Sequence, residues 1–266
     1  MTGIQAFDQA IGGLQKKTTF VLAGEPGIGK FILALQMAMA LAEAGRAVAI
    51  YEMEMDADAL IGRELASRTQ IPTAKQRAGR VGDDQWPLLI SAIERMACLP
   101  VYLSTDTHWT TTALRADLTR LKQQANIELA VVDYLYLLND RAPDDNQRTA
   151  LISRQLHHIA KDLDIAMIVV NSMIKPGVER SAPATASLRG SGQIGYDADL
   201  VGFLTQHLPE KGEAQKNVRT LTLTKNREGG RFFMHLQQCD GLPAFKSIEK
   251  NHSSPLLPIR EGEPAV

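Results

Sequence analysis

A glycine-rich turn carries the clearest chemistry in this sequence. Gly24-Glu25-Pro26-Gly27-Ile28-Gly29-Lys30 fits the spacing G-x-x-x-x-G-K. Glycines at these places let backbone N–H groups crowd around phosphate oxygens, and the start of the following helix adds positive partial charge. Lys30 then reaches the terminal phosphates. A Gly/Pro turn with a chance lysine is the bland alternative, but an apolar strand precedes the turn and a helix follows it, the setting a nucleotide needs. The next position calls for Ser or Thr, whose hydroxyl binds Mg²⁺; Phe31 stands there and offers no oxygen to a hard cation.

Further acids suit the same chemistry. Asp133 ends the apolar run Leu129-Ala130-Val131-Val132-Asp133, at the sheet edge where ligands sit in open α/β folds, and can hold Mg²⁺ through water. By itself such an acid reads as a helix cap or turn residue; beside a phosphate loop it reads as a metal group. Glu54, in Tyr51-Glu52-Met53-Glu54-Met55, can polarise an attacking water. Glu52 shares its strand face by the period of two and is a rival for that role. Two solvated acids at a strand end is the competing reading for both.

The elements that must position these groups alternate. Strand-like runs at 18–23, 47–51, 101–104, 129–133 and 165–171 are separated by helix-length segments at 30–44, 57–68, 85–97, 111–125 and 147–163. This order predicts an α/β domain with a mainly parallel central sheet flanked by helices. Residues 175–187 are rich in Pro, Ser and Ala and read as a loop. The β-rich runs 199–205, 219–224 and 231–237 are expected to be antiparallel strands added at the sheet edge. Residues 251–266 hold three prolines and no apolar period, and read as a flexible tail.

Composition sets the limits. The chain has 266 residues, 44% of them apolar, enough for one large α/β domain over about residues 1–250. A net charge of −1 excludes a global basic field, so any nucleic-acid contact must come from local loops. Cys98 and Cys239 fit neither a metal nor a disulfide pattern and read as buried thiols in a reducing compartment. There is no signal-like N-terminus and no apolar run long enough for a bilayer, so a soluble cytoplasmic protein is expected. His157 and His158 read as surface residues of a helix, and Trp86 and Trp109 as packing anchors.

Several stretches, in collinear order over roughly residues 2–248, resemble the motor domain of DnaB-type replicative helicases. They are Thr2-Gly3-Ile4 with Phe7-Asp8 and Gly12-Gly13-Leu14, then the phosphate loop, Glu54-Met55, and Asp133-Tyr134-Leu135-Tyr136-Leu137. Leu188-Arg189-Gly190-Ser191-Gly192-Gln193-Ile194 running into Asp197-Ala198-Asp199, and Lys225-Asn226-Arg227, complete the set. The phosphate-loop wording is also similar to RadA-type and KaiC-type proteins, which share the RecA-like core. The DnaB resemblance implies a RecA-like fold, ATP and Mg²⁺ as ligands, and a homo-oligomeric, hexameric ring around single-stranded DNA. By position, Lys30 binds phosphates, Asp133 serves the metal, Glu54 is the general base and Arg63 touches nucleotide in its own subunit. Lys225 and Arg227 act on the neighbouring subunit's nucleotide, where a cation stabilises charge on the transferring phosphoryl group. Arg189, Gly190 and Gly192, helped by Lys175 and Arg180, grip the DNA backbone. A replication initiator or helicase loader is the implied protein partner.

The departures from that pattern are Phe31, Ser172 in place of a γ-phosphate-sensing glutamine, and Gly190 in place of an acid. Phe31 and Ser172 together predict weakened hydrolysis. Because the match begins at the motor domain, the family's N-terminal primase-binding collar and linker helix are expected to be absent from this sequence. Three functions follow: an ATP-driven DNA-translocating ring, a nucleotide-binding but catalytically poor ring or adaptor regulating replication, and a RadA-type or KaiC-type regulator.

Overall fold

A computed structural model describes residues 1–173, 192–207 and 217–248, and the backbone of 257–258. The apolar run at the phosphate loop forms β1 (Thr19–Gly24), preceded by a short helix α1 (Gln5–Ile11). After the loop come α2 (Lys30–Glu43), β2 (Val48–Glu52), α3 (Ala57–Thr69), α4 (Thr73–Arg77), α5 (Trp86–Ala97) and β3 (Val101–Ser104). Then follow α6 (Thr111–Ala125), β4 (Leu129–Asp133), a 3₁₀ turn (Leu135–Leu137), α7 (Asp145–Asp162) and β5 (Ala166–Ser172). The C-terminal part adds α8 (Gly192–Asp197), β6 (Leu200–Gln206), β7 (Val218–Asn226), β8 (Phe232–Gln238), β9 (Phe245–Ser247) and β10 (Leu257–Pro258).

Local chemistry sets the helix starts. Asp56, Thr110 and Asp144 each accept a backbone N–H from the first turn of the helix that follows, at 2.7, 3.2 and 2.8 Å respectively. The cap at Asp144 starts α7 two residues before the apolar pattern alone suggests.

The strands form one sheet in the order β10-β8-β7-β6-β1-β5-β4-β2-β3, with β9 on β8. Strands β3, β2, β4, β5, β1 and β6 are mutually parallel; β7, β8, β9 and β10 pair antiparallel. The fold class is therefore as the alternation implied, with one correction. The run at 199–205 is not an added antiparallel strand: β6 lies beside β1 and runs parallel to it. Of the stretch read as a tail, only Leu257–Pro258 lies within the described residues, and it pairs with Phe233 and Phe232.

Alternation along the central strands splits the core in two. Phe20, Leu22, Ile50, Val131 and Ile168 pack with α2, including Phe31, Leu35 and Ala38, on one face. Val21, Tyr51, Val132 and Val169 pack with Leu114 and Leu118 of α6 and Ile152 and Leu156 of α7 on the other. A smaller cluster, Leu65, Ile71, Leu89 and Ala92, joins α3 to α5.

Four side-chain expectations are corrected. His157 is buried, 8% exposed, because α7 turns it toward β1. Trp86 is 49% exposed on the outer face of α5 and anchors nothing. Cys98 is exposed and Cys239 half-buried, so neither is a core thiol. Trp109 does pack as expected, edge-on to Tyr51 with ring centroids 5.0 Å apart. Among the described residues no helix is long and apolar enough to cross a membrane.

Candidate functional site

The phosphate loop leaves the C-terminal end of β1, which lies inside the parallel set between β5 and β6. Glu25, Pro26 and Gly27 are exposed, Ile28 is buried, and Gly29 caps α2 at φ 103°. That backbone needs glycine, and a Cβ at Gly29 would also lie 2.7 Å from the ring of Phe245. The first amides of α2 have no acceptor inside the helix, so they face the loop as donors for an anion. Lys30 Nζ donates to the carbonyls of Gly24 and Glu25 at 3.1 and 2.9 Å. Burial lowers its pKa, against the opposing pull of Asp133, Glu54 and Glu25. A desolvated cation among bare amides fits a polyphosphate.

Parallel pairing brings the acids to the same edge. Glu52 and Asp133 are register partners at the ends of β2 and β4, and period two points both toward the α2 face. Glu52 is fully buried. Its Oε1 accepts the N–H groups of Glu54 and Met55 at 2.8 and 3.0 Å, and Met53 N–H donates to Asp133 O at 2.9 Å. These bonds hold the turn that presents Glu54, which is exposed. No protein donor reaches Glu52 Oε2. Burial first, then Glu52, push the Asp133 pKa up to about 8, and burial also raises that of Glu52. A proton held between the two carboxyls serves the orphaned oxygen. The same acid pair fits a divalent cation reached through water.

Phe31 points away from this edge. It is 8% exposed and belongs to the apolar cluster beneath α2. Ser172, the register partner of Gly24, sits at the end of β5 beside the loop. It occupies the expected place with only a short hydroxyl. Arg63 lies half-buried on α3, the helix that Asp56 starts just beyond Glu54.

Lys225 and Arg227 lie elsewhere. They stand at the end of β7 and just beyond it, and the antiparallel run of that strand carries them to the N-terminal edge of the sheet, where Val201 pairs with Lys225. Arg227 binds Asp199, which in turn holds Thr19 at the start of β1. The length of β1, roughly 16 Å at ~3.3 Å per residue, separates this edge from the phosphate loop. The two groups of one chain therefore do not meet. Gly192 is the exposed first residue of α8; Lys175, Arg180, Arg189 and Gly190 lie outside the described residues.

Sequence reasoning missed three participants. Glu52 supports the turn and pairs with Asp133; the period of two places it correctly without revealing its partner. Arg219, on β7, reaches the phosphate loop with its Nε 3.4 Å from Ile28 O. Asp199 is visible in the sequence only as part of a motif, with no role attached.

A family model for the DnaB-like helicase C terminal domain matches residues 1–247. The chain is 30% identical over 236 residues to the replicative DNA helicase DnaC of Bacillus subtilis, covering 86% of this chain and 52% of that protein. It is 33% identical over 232 residues to the replicative DNA helicase DnaB of Treponema pallidum, covering 86% and 51%. It is 27% identical over 264 residues to that of Geobacillus stearothermophilus, covering 97% and 58%. The chain thus spans about half the length of the curated relatives it matches. Among solved structures, a separately determined ATPase domain superposes with a TM-score of 0.86 at 23% identity, covering 94% of this chain and 91% of that one. A DnaB-like replicative helicase, studied with its interactions with primase, gives the same score over 63% of its length. These two show the RecA-like fold.

Proposed function

Since this chain belongs to the DnaB-like helicase C-terminal domain family, we propose that it is the ATP-hydrolysing motor domain of a ring-forming replicative DNA helicase. The observation that carries the reading is the division of cations between the two edges of the sheet. Lys30 stands with Asp133 and Glu54 at the phosphate-loop edge, whereas Lys225 and Arg227 stand at the opposite edge. A site that needs both can be completed only by a neighbouring copy, which favours a homo-oligomeric ring, hexameric by resemblance.

In this reading the loop residues Gly24 to Lys30, with the amide of Phe31, bind the phosphates of ATP, and Arg63 contacts the nucleotide in the same chain. Asp133 holds Mg²⁺ through water, and the ion supplies charge neutralisation on the phosphates. Glu54, exposed and held by Glu52, orients and deprotonates the attacking water. Lys225 and Arg227 of the adjacent copy stabilise the charge that develops on the transferring phosphoryl group. Arg189, Gly190 and Gly192, with Lys175 and Arg180, bind single-stranded DNA in the central channel. A replication initiator or loader is the proposed protein partner, and the cytoplasm the proposed compartment.

A second reading has its own observation. The side chain that should supply the metal hydroxyl is a phenylalanine buried in the core, and the sensor position holds Ser172. This favours a nucleotide-binding ring of low turnover that scaffolds or regulates an active helicase.

ATP turnover with and without single-stranded DNA, in the wild type and in Lys30→Ala, separates the two. The motor reading expects DNA-stimulated turnover that disappears in the variant. Nucleotide binding with turnover at the variant's background supports the second reading. Loss of nucleotide binding in the wild type removes both.

A further inference from the structure

We propose that Asp199 is the positioning residue for the trans-acting cations, fixing Arg227 and, through the end of α8, Lys225 in the orientation from which they act on a neighbour's nucleotide. The proposal rests on the trans reading of Lys225 and Arg227 given above and assigns the group that makes it possible.

Asp199 is only 8% exposed, and both of its carboxylate oxygens are engaged. Oδ2 accepts the Thr19 N–H at 2.9 Å, and Oδ1 accepts from Arg227 Nη1 at 3.0 Å. The backbone repeats the link: Asp199 N–H donates to Thr19 O at 3.0 Å, and Arg227 N–H donates to Asp199 O at 3.1 Å. Thr19 begins β1, so the carboxylate is referenced to the same strand that carries the phosphate loop at its other end. His157 Nδ1 lies 3.4 Å from Oδ2, but burial lowers its pKa, which leaves Arg227 as the charged partner of this buried carboxylate.

The second support is the end of α8. Arg227 Nη2 donates to Tyr196 O at 2.9 Å, and Lys225 Nζ donates to Gly195 O and Tyr196 O at 2.8 and 2.9 Å. Carbonyls at a helix C-terminus lack intrahelical donors and attract cations. Both cations keep donors in hand. A guanidinium has five N–H groups, and the Arg227 side chain remains 42% exposed. A cation anchored on one side and open on the other is preorganised for a second anion. Without the Asp199 charge, Arg227 would hang from one carbonyl on a rotamer-rich stem, and a displacement of that kind is costly in transition-state stabilisation.

The test is trans complementation. Asp199→Asn keeps an acceptor for Thr19 but removes the charge that holds Arg227. Its turnover should fall about 10- to 100-fold, with KM for ATP much less affected, because its own phosphate loop is at the far edge. Mixing it with Lys30→Ala subunits, which have a dead phosphate loop and an intact Asp199–Arg227 pair, should restore turnover above that of either variant. Arg227→Ala mixed with Lys30→Ala is the control and should be rescued in the same way. Rescue of Arg227→Ala but not of Asp199→Asn overturns the proposal while the trans reading stands, as does wild-type turnover in Asp199→Asn. Failure to rescue Arg227→Ala, or absence of wild-type turnover, removes the trans reading and this proposal with it. If Asp199→Asn does not fold, Asp199→Glu, which keeps the charge but shifts it by one methylene, should show a smaller loss rescued by the same subunits; an unrescued loss again counts against it.

Discussion

Glu52 and Asp133 sit directly opposite one another on β2 and β4, both buried, with one oxygen of Glu52 lacking any protein donor. Burial first, and the neighbouring carboxyl second, push Asp133 up to about 8, so the pair holds a proton near neutrality. The folded chain therefore keeps a proton that the unfolded chain, with Asp133 near 3.8, has lost. Stability from this pair is full below the unfolded value and is lost as pH rises through the folded one. In the absence of nucleotide, unfolding free energy should fall between about pH 4 and about pH 8, at up to about 1.4 kcal/mol per pH unit for one such proton. Urea midpoints across that range check it, and Asp133→Asn should flatten the slope.

Glu54 and Glu52 should separate cleanly on mutation. Glu54 is exposed and reaches solvent, while Glu52 is fully buried and spends Oε1 on the turn. Glu54→Gln is expected to lower ATP turnover about 10²- to 10⁴-fold, the usual worth of a general base, with nucleotide affinity and melting temperature near the wild-type values. Glu52→Ala should instead lower the melting temperature, since two backbone N–H groups lose their acceptor. Thermal unfolding and single-turnover hydrolysis, measured on both variants, decide the assignment.

Phe31→Thr joins two opposite effects. The phenyl ring is buried under α2, so its loss should cost roughly 2–4 kcal/mol of stability. The new hydroxyl supplies the oxygen that a divalent cation lacks in this chain, and turnover per folded molecule should rise. Denaturant titration gives the first quantity, and turnover normalised to folded protein the second. An unchanged turnover would place the metal wholly on Asp133 and water.

Gly29→Ala tests the loop itself. A Cβ there lies 2.7 Å from the Phe245 ring and demands an L-residue at φ 103°. The loop must shift, and affinity for a fluorescent ATP analogue should drop by at least about 10-fold, the equivalent of the 1–3 kcal/mol that a strained backbone site costs. Phe245→Ala in the same background should recover part of the loss by removing the clash, though not the backbone strain.

Much of the fold was legible because its signals are local. The phosphate loop announces itself by glycine spacing, and β3, β4 and α6 fall on the residues that apolar runs and a capping threonine mark out. Asp133 was legible for a similar reason: an acid closing an apolar strand must emerge at the strand's C-terminal end. Period two put Glu52 and Glu54 on one face. The sequence by itself thus determined which groups could hold phosphate and metal, and which edge of the sheet they reach.

Strand order and direction decided the rest, and those are non-local. An alternating run looks the same whether it pairs parallel or antiparallel, so β6 could not be oriented until β1 lay beside it. The helical period of α7 does not say which neighbour faces His157; Asp199 and Thr19 come from other elements. Only the antiparallel turn of β7 after β6 carries Lys225 and Arg227 away from their own phosphate loop and onto Asp199 and α8. That separation arises because one strand length divides the two edges of a sheet. The tertiary structure alone therefore put the two halves of the chemistry on opposite edges, an arrangement that calls for a second copy of the chain.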